Sequence, residues 1–141
     1  MKIKCKAMCV FRHNGSILLL QGKDSKTGAK YSRPLGGSLE FGELSSETIV
    51  REVKEEISAD ISDVKFLGVL ENVFDFEGKK HHEIDFIYDA TFNDPDYYKK
   101  ETIIGEEGDG RELIAYWKKI DSFTNSDDSL VPEGLLDLIT K

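Results

Sequence analysis

The hydrophobic and polar positions near the N-terminus predict a β-hairpin followed by a loop. Residues 3–12 suit a strand, and Asn14-Gly15, the usual pair of a tight type I′ turn, precedes the apolar run 17–20. Residues 21–32 are polar and include two glycines, so we expect a mobile loop there. The chain is therefore expected to begin with two antiparallel strands.

The next segment predicts an extended turn and then an α-helix. Pro34 favours an extended residue before it, and Gly36-Gly37 permits another group to approach the backbone closely. The helix is expected to run from Ser45 or Ser46, either of which would cap it, to about Ile57. Its apolar stripe consists of Ile49, Val50, Val53 and Ile57.

Beyond this helix the chain is again rich in β-forming residues. Two paired strands are expected at residues 64–76 and 83–92, with a turn at residues 77–80 between them. A flexible loop at residues 93–112 and a last strand at residues 113–120 follow. An apolar pattern after Pro132 fits a short terminal helix. This order predicts a single domain over residues 1–141 with an α/β (α+β) fold, in which helices pack on the faces of a mixed sheet.

Charge and composition limit the partners of the protein. The formal net charge of -8 argues against binding of nucleic acid or of an anionic membrane, since both require a basic face. The apolar run 7–11 is too short for a signal sequence or a membrane span, so we expect a cytoplasmic protein. Cys5 and Cys9 are too far apart along one strand for a disulfide, so we expect two reduced core thiols. The oligomeric state stays open, with a homodimer as one option.

Three glutamates crowd one side of the predicted helix. At about 100° per residue, Glu52, Glu55 and Glu56 share an arc of about 100° beside the apolar stripe. Like charges at the edge of a buried face are costly without counter-charge, and a bound divalent cation supplies that charge. Oxygen ligands suit Mg²⁺ or Mn²⁺, and Mg²⁺ usually completes its shell with substrate phosphates. The cluster therefore predicts a metal site for a phosphate-bearing substrate.

The spacing around these glutamates distinguishes them from an ordinary solvated helix face, of which Glu-Val-Lys-Glu-Glu alone is typical. The chain has Gly37, five residues, Glu43, seven residues, and then Arg51-Glu52, an aliphatic residue, any residue and Glu55-Glu56. At average residue usage this pattern arises by chance about once in ten million starting positions. Arg51 can pair with Glu55 or Glu43 and so orient the carboxylates.

This pattern closely resembles the box of the Nudix hydrolases, G-x5-E-x7-R-E-U-x-E-E-x-G-U, where U is a bulky aliphatic residue. The match covers residues 37–59, and the resemblance implies a Nudix-like α/β/α sandwich. It also implies metal-assisted hydrolysis of a diphosphate bond in a nucleoside diphosphate linked to another moiety, by attack of water on phosphorus. The implied catalytic and metal-binding residues are Arg51, Glu52, Glu55 and Glu56, with the Gly37 carbonyl as a further ligand and Glu43 as structural support.

The resemblance leaves the general base open. Glu52 or Glu56 of the box can serve, and so can a loop acid such as Glu106 or Glu107, since some Nudix members use a glutamate from a late loop. Glu83, in a predicted strand, is a further candidate for the base or for an extra ligand. A surface cluster with the neighbouring histidines explains Glu83 equally well.

Two positions at the margins of the box also carry predictions. Arg33 is expected either to bind a substrate phosphate or to form a salt bridge in its loop. Ser58 stands where the box has its last glycine, and a left-handed turn at the end of the helix costs serine about 1 kcal/mol more than glycine. Downstream residues that mark some Nudix subfamilies are absent, so the substrate within the nucleotide class stays open.

Two other classes of function compete with this interpretation. A nucleotide-binding regulator uses the same fold without turnover, but such members usually lack box glutamates, and all of them are present here. An acidic Ca²⁺-binding or structural domain is less favoured, because the chain lacks the D-x-D-x-D-G loop of an EF-hand. We therefore expect a pyrophosphohydrolase that requires Mg²⁺ or Mn²⁺ and acts on a nucleotide-type small molecule.

Overall fold

A computed structural model of the chain describes residues 1–124 and 129–141. Its strands are β1 (Ile3–Val10), β2 (Arg12–His13), β3 (Ser16–Lys23), β4 (Lys30–Arg33), β5 (Leu35–Ser38), β6 (Ile61–Phe76), β7 (Lys79–Phe92), β8 (Thr102–Glu106), β9 (Glu112–Lys119) and β10 (Ser129–Leu130). The helices are α1 (Ser45–Ile57) and α2 (Leu135–Thr140), and short 3-10 helices cover Pro95–Tyr98 and Ile120–Thr124.

The strands form two mixed sheets on which the helices pack, so the predicted α/β (α+β) architecture is confirmed. One sheet has the order β5-β1-β7-β6, and the other has the order β10-β4-β3-β9-β8 with β2 paired to β3. Strands β1 and β7 run parallel, as do β4 and β10, whereas the other neighbours are antiparallel. The predicted mixed sheet is thus divided into two.

Alternate residues of the inner strands supply the two halves of the hydrophobic core. Ala7 and Cys9 of β1 pack with the buried face of α1, whereas Met8 and Val10 pack with Leu135 and Ile139 of α2. The same alternation divides β3, whose Leu18 and Leu20 join the first cluster and whose Ile17 and Leu19 join the second. Since successive side chains of a strand point to opposite faces, β1 and β3 are covered on both sides.

The N-terminal hairpin agrees with the sequence, but the loop predicted after it does not. Asn14 and Gly15 both have positive φ, as a type I′ turn requires. Residues 21–32 form a second hairpin instead of a long loop, since Gly22 pairs with Tyr31 in the ladder. The carboxylate of Asp24 accepts backbone N–H groups of its own turn and that of Glu77 from the β6–β7 turn. Polar residues here stabilise a turn and join two hairpins, which explains why hydropathy alone predicts a loop.

Helix α1 has the expected end but a different start. Its N-cap is Leu44, whose backbone N–H donates to the Glu47 carboxylate, whereas the Ser45 hydroxyl is hydrogen-bonded to that of Tyr88. Val50, predicted in the buried stripe, is exposed, and the buried acid Glu56 takes a place on that face. Because the Ser45 side chain is used for a tertiary contact, the Glu47 carboxylate accepts the backbone N–H of the N-cap residue Leu44 instead.

The predicted loop at residues 93–112 is largely ordered structure. It contains the 3-10 helix Pro95–Tyr98 and strand β8, which pairs with β9 at Ile103 opposite Ala115. Tyr97 of the 3-10 helix donates its hydroxyl to the carbonyl of Ile57 and so caps the end of α1.

Cys9 is buried as predicted, but Cys5 is exposed, which corrects the prediction of two core thiols. In the described part of the chain no helix has the length and apolarity needed to span a membrane.

Strand β8 packs directly on the end of α1. A Cβ atom at Gly105 would lie 1.8 Å from the carbonyl oxygen of Glu56, so any larger residue would force the strand away from the helix. Because this contact brings the end of β8 to the last turn of α1, it determines where the residues after Gly105 can lie.

Replacing Ser58 by glycine should stabilise the protein. Ser58 ends α1 with φ 59°, in the left-handed region that glycine adopts at least cost, and its N–H bonds to the carbonyl of Lys54. We expect Ser58→Gly to raise the free energy of unfolding by about 1 kcal/mol and the midpoint of thermal unfolding by about 3 °C. Ser46→Gly, within the first turn of the helix, is the matched control and should lower both. An unchanged or lower midpoint for Ser58→Gly would show that the left-handed conformation at Ser58 does not cost the folded protein stability.

Candidate metal and substrate site

The guanidinium of Arg51 lies among the carboxylates of the loop and helix α1. Its Nε is 2.7 Å from Oε2 of Glu43, and its Nη1 is 2.8 Å from Glu52 and 3.3 Å from Glu55. Its Nη2 also donates to the backbone carbonyl of Ser38, at the end of β5. One cation therefore joins the loop to the helix and offsets the repulsion between the glutamates.

The supporting residue Glu43 is held as an anion. Hydrogen bonds from Arg51 and then from Thr48 lower the pKa of Glu43 to about 2. Its Oε1 also accepts the backbone N–H of Glu40. Since a carboxylate with several donors stays ionised, Glu43 anchors the loop at all physiological pH values.

Two of the box glutamates lie against the paired glycines. A Cβ at Gly37 would approach Cδ of Glu52 to 2.4 Å, and the N–H of Gly36 donates to Oε1 of Glu56 at 3.1 Å. Burial raises the pKa of Glu52, and it raises that of Glu56 to about 8 against the opposing charge of Arg33. Both carboxyl groups are thus poorly solvated, and they lie beside Gly37, whose carbonyl is a metal ligand according to the resemblance. A cation bound there would be strongly favoured.

Glu55 differs from Glu52 and Glu56 because its side chain is 58% exposed, and its Oε2 lies 3.3 Å from Nη1 of Arg51. Within the described ranges, no three His, Cys, Asp or Glu side chains converge into a ready-made metal cage. The donors nevertheless fit a hard divalent cation, since they are carboxylate oxygens next to a close backbone approach. Glu52 and Glu55 share Arg51 Nη1 as their counter-charge in this arrangement.

The candidate bases lie at three different places. Glu107 follows β8 and is close enough to Glu56 for its charge to raise the pKa of Glu56, whereas Glu106 is exposed and pairs in the ladder with Glu112. Glu83 lies on β7 and forms an ion pair with Lys6 at 3.0 Å. The structure therefore places Glu107 within electrostatic range of Glu56 and pairs Glu83 with Lys6.

Arg33 connects the box to a cavity of about 510 Å³. Its charge acts on Glu56, and its side chain lines the cavity, so it lies between the two. The volume is typical of a small-molecule pocket. The cavity wall combines aromatic groups, cations and acids, among them Tyr31, Phe74, Phe76, His81, Lys4, Lys6, Lys30, Asn72 and Glu83.

Reasoning from the sequence singled out none of the cavity aromatics and missed Lys6, Asn72 and Asp85. Phe74 and Phe76 are two residues apart in a strand and therefore share a face, which is a signal that the sequence contains. No comparable signal joins Lys6 to Glu83, because the parallel pairing of β1 with β7 brings together residues 77 positions apart.

Comparison with known proteins supports the same family as the box. A NUDIX domain family model matches residues 4–133. The fold is similar to that of a NUDIX-family hydrolase from Clostridium perfringens, with 20% identity, a TM-score of 0.66, and coverage of 99% of this chain and 95% of that one. A NUDIX hydrolase from Nitrosomonas europaea is 19% identical with a TM-score of 0.65, covering 99% of this chain and 87% of that one.

A third similar structure is a MutT NUDIX hydrolase from Burkholderia pseudomallei, 17% identical with a TM-score of 0.58 and coverage of 86% of each chain. At these identities the solved structures show the fold, while the family model matches the sequence itself. Since that model spans most of the chain, the protein belongs to the NUDIX family, the family of the Nudix pyrophosphohydrolases.

Proposed function

We propose that the protein hydrolyses a diphosphate bond in a nucleoside diphosphate linked to another moiety, with a divalent metal ion as cofactor. The observation that carries this proposal is the placement of two poorly solvated glutamates, Glu52 and Glu56, against Gly36-Gly37. Arg33, whose charge acts on Glu56, lies in the wall of the cavity. An anionic substrate in that cavity and a cation at the glutamates would each supply the charge that the other lacks. Nucleoside triphosphates and nucleotide sugars both belong to this substrate class.

The residues proposed to hold the metal are Glu52, Glu55 and Glu56, with the backbone carbonyl of Gly37. Mg²⁺ is the expected ion, and Mn²⁺ is suited to the same oxygen donors. When bound, such an ion polarises the diphosphate and lowers the pKa of a water molecule. Arg51 is proposed as a positioning residue, because it contacts Glu43, Glu52 and Glu55 at once and fixes how their oxygens are presented.

The remaining steps fall to residues around the metal site. Arg33 is proposed to bind a substrate phosphate, since it is the cation that faces both Glu56 and the cavity. Glu107 is proposed as the acceptor of the proton of the attacking water, because it is the loop acid whose charge reaches Glu56. The cavity itself would hold the nucleoside and exclude bulk water from the reacting phosphate.

Neutralising Glu55 should abolish most of the activity without unfolding the protein. Its side chain is largely exposed and its ion pair with Arg51 is at 3.3 Å, so Glu55→Gln removes a proposed ligand but little stability. We expect kcat/KM for a hydrolysed nucleotide to fall by about 100-fold or more, with thermal unfolding within a few degrees of the parent.

A screen of nucleoside triphosphates, nucleotide sugars and dinucleotides with Mg²⁺ or Mn²⁺ first identifies the substrate for this comparison. Its products, pyrophosphate or phosphomonoesters, are converted to inorganic phosphate by added pyrophosphatase or phosphatase and measured. Glu71→Gln, an exposed glutamate on β6, is the matched control and should retain parental activity. Full activity in Glu55→Gln would exclude Glu55 from the metal site. Measurable nucleotide binding without any hydrolysis by the parent would instead favour the non-catalytic regulator.

The metal-free protein should lose stability as the pH rises from about 5 to about 8. The pKa of Glu56 is about 8 in the folded state and ordinarily near 4.5, so over this range the folded chain retains a proton that the unfolded chain releases. Glu56 alone then lowers the unfolding free energy by at most about 1.4 kcal/mol per pH unit, and the buried Asp85, whose pKa is raised to about 7, adds to this loss in the lower part of the range. Urea unfolding in EDTA at several pH values measures this slope.

Glu56→Gln is expected to flatten that slope, because a carboxamide can still accept from Gly36 N–H but does not titrate in this range. Glu71→Gln should leave the slope unchanged. A variant Glu56→Gln with the same pH dependence as the parent would show that another group is responsible.

A further inference from the structure

We propose that Asn72 and Glu83 form a pair of hydrogen-bond acceptors on the cavity wall, which selects substrates whose base carries an exocyclic amino group. The inference deepens the proposed function and rests on it, because it assigns the cavity to the base of the nucleotide. It adds a specificity determinant that lies outside the Nudix box.

The two residues are direct neighbours on the sheet. Asn72 of β6 stands opposite Glu83 of β7 in the antiparallel ladder, and both line the cavity. Side chains at directly opposed positions have Cβ atoms about 5 Å apart. One planar ligand edge can therefore contact both residues.

The contacts of this pair within the protein leave acceptors for a ligand. The amide nitrogen of Asn72 donates to Oδ2 of Asp85 at 3.3 Å, so its carbonyl oxygen remains an acceptor. The ammonium of Lys6 is 3.0 Å from Oε2 of Glu83. A carboxylate has four lone-pair sites on its two oxygens, so Glu83 keeps acceptor capacity beside this ion pair.

The excess of acceptors extends into the protein interior. Asp85 is fully buried, and among the described residues its Oδ1 is the buried side-chain polar atom without a hydrogen-bond partner. Burial and the adjacent Glu83 hold the pKa of Asp85 above its usual range. A ligand group with N–H donors is therefore favoured beside these carboxyl oxygens.

Aromatic residues beside the pair favour a nucleobase over a sugar as the donor group. Phe74 and His81 are the next opposed pair along the same face, and their rings stack with centroids 5.4 Å apart. Phe76 and Tyr31 extend this aromatic wall. A flat ring can pack on such a wall while its edge reaches Asn72 and Glu83.

An exocyclic amino group matches the two acceptors because it has two hydrogens to donate. Exchanging that amino group for an oxo group removes both donors and sets a carbonyl oxygen against the Glu83 carboxylate. Sites built to bond a particular N–H reject analogues that lack it, since their own polar groups are then left unpaired. Cytosine differs from uracil, and adenine from hypoxanthine, by this exchange and by the hydrogen that the neighbouring ring nitrogen of the oxo base then carries.

The test measures binding separately from turnover. Nucleoside monophosphates lack a diphosphate bond, so calorimetric titration with CMP, UMP, AMP and IMP in the presence of Mg²⁺ gives dissociation constants without hydrolysis. We expect the amino member of each pair to bind roughly tenfold or more tightly than the oxo member. The ratio of kcat/KM for CTP over UTP and for ATP over ITP should follow the same preference.

Glu83→Gln replaces a carboxylate oxygen by an N–H donor and should bring both binding ratios close to one. Glu71→Gln makes the same chemical change at an exposed glutamate of β6 outside the cavity lining and should keep the parental ratios. Thermal unfolding shows whether each variant is folded. If Glu83→Gln does not fold, the binding ratios of the parent protein still test the proposal.

Equal affinities within each pair, or no binding of any monophosphate, would overturn the inference. A clear amino preference in binding, with no hydrolysis of any triphosphate, nucleotide sugar or dinucleotide, would support the inference while excluding the proposed function.

Discussion

The geometry of the candidate site depends on one guanidinium group among several carboxylates. Arg51 reaches Glu43 in the loop, Glu52 and Glu55 on the helix and the backbone carbonyl of Ser38, so a single side chain joins β5, the loop and α1. Without it, the glutamates would repel one another beside a buried face. The same contact presents Glu52 to Gly37, and that arrangement is what makes a metal site chemically reasonable.

The core explains why this site lies beside a cavity. Strands β1 and β3 are covered on both faces, by the α1 cluster on one side and by the α2 cluster on the other. Toward the N-terminal end of β1 the apolar pattern is replaced by Lys4 and Lys6, and the strands there border the cavity instead of the core. Arg33, at the end of β4, lines that cavity, and its charge acts on Glu56. The cavity and the candidate metal site are neighbours because β4 leads directly into β5, which carries Gly36 and Gly37 and pairs with β1.

Local elements were predictable where a short-range pattern decides the structure. The Asn14-Gly15 turn, helix α1 as far as Ile57 and the terminal helix follow from turn chemistry and periodicity. The segments at residues 21–32 and 93–112 were predicted as loops because they are polar or rich in glycine. They form strands because pairing partners far along the chain satisfy their backbone groups, and hydropathy carries no information about those partners. Gly105 is such a case, since close packing on α1 requires it.

The amino-acid sequence by itself determined the helix, the arc of glutamates and their spacing to Gly37 and Glu43, because these features lie within one short segment. Only the tertiary structure decided which acid stands beside Glu56 and which belongs to the cavity: it brings Glu107 to the box and pairs Glu83 with Lys6. The acceptor pair formed by Asn72 and Glu83 likewise exists only through the register of β6 with β7. The physical reason is that long-range strand pairing sets these distances, and it depends on the packing of the whole sheet.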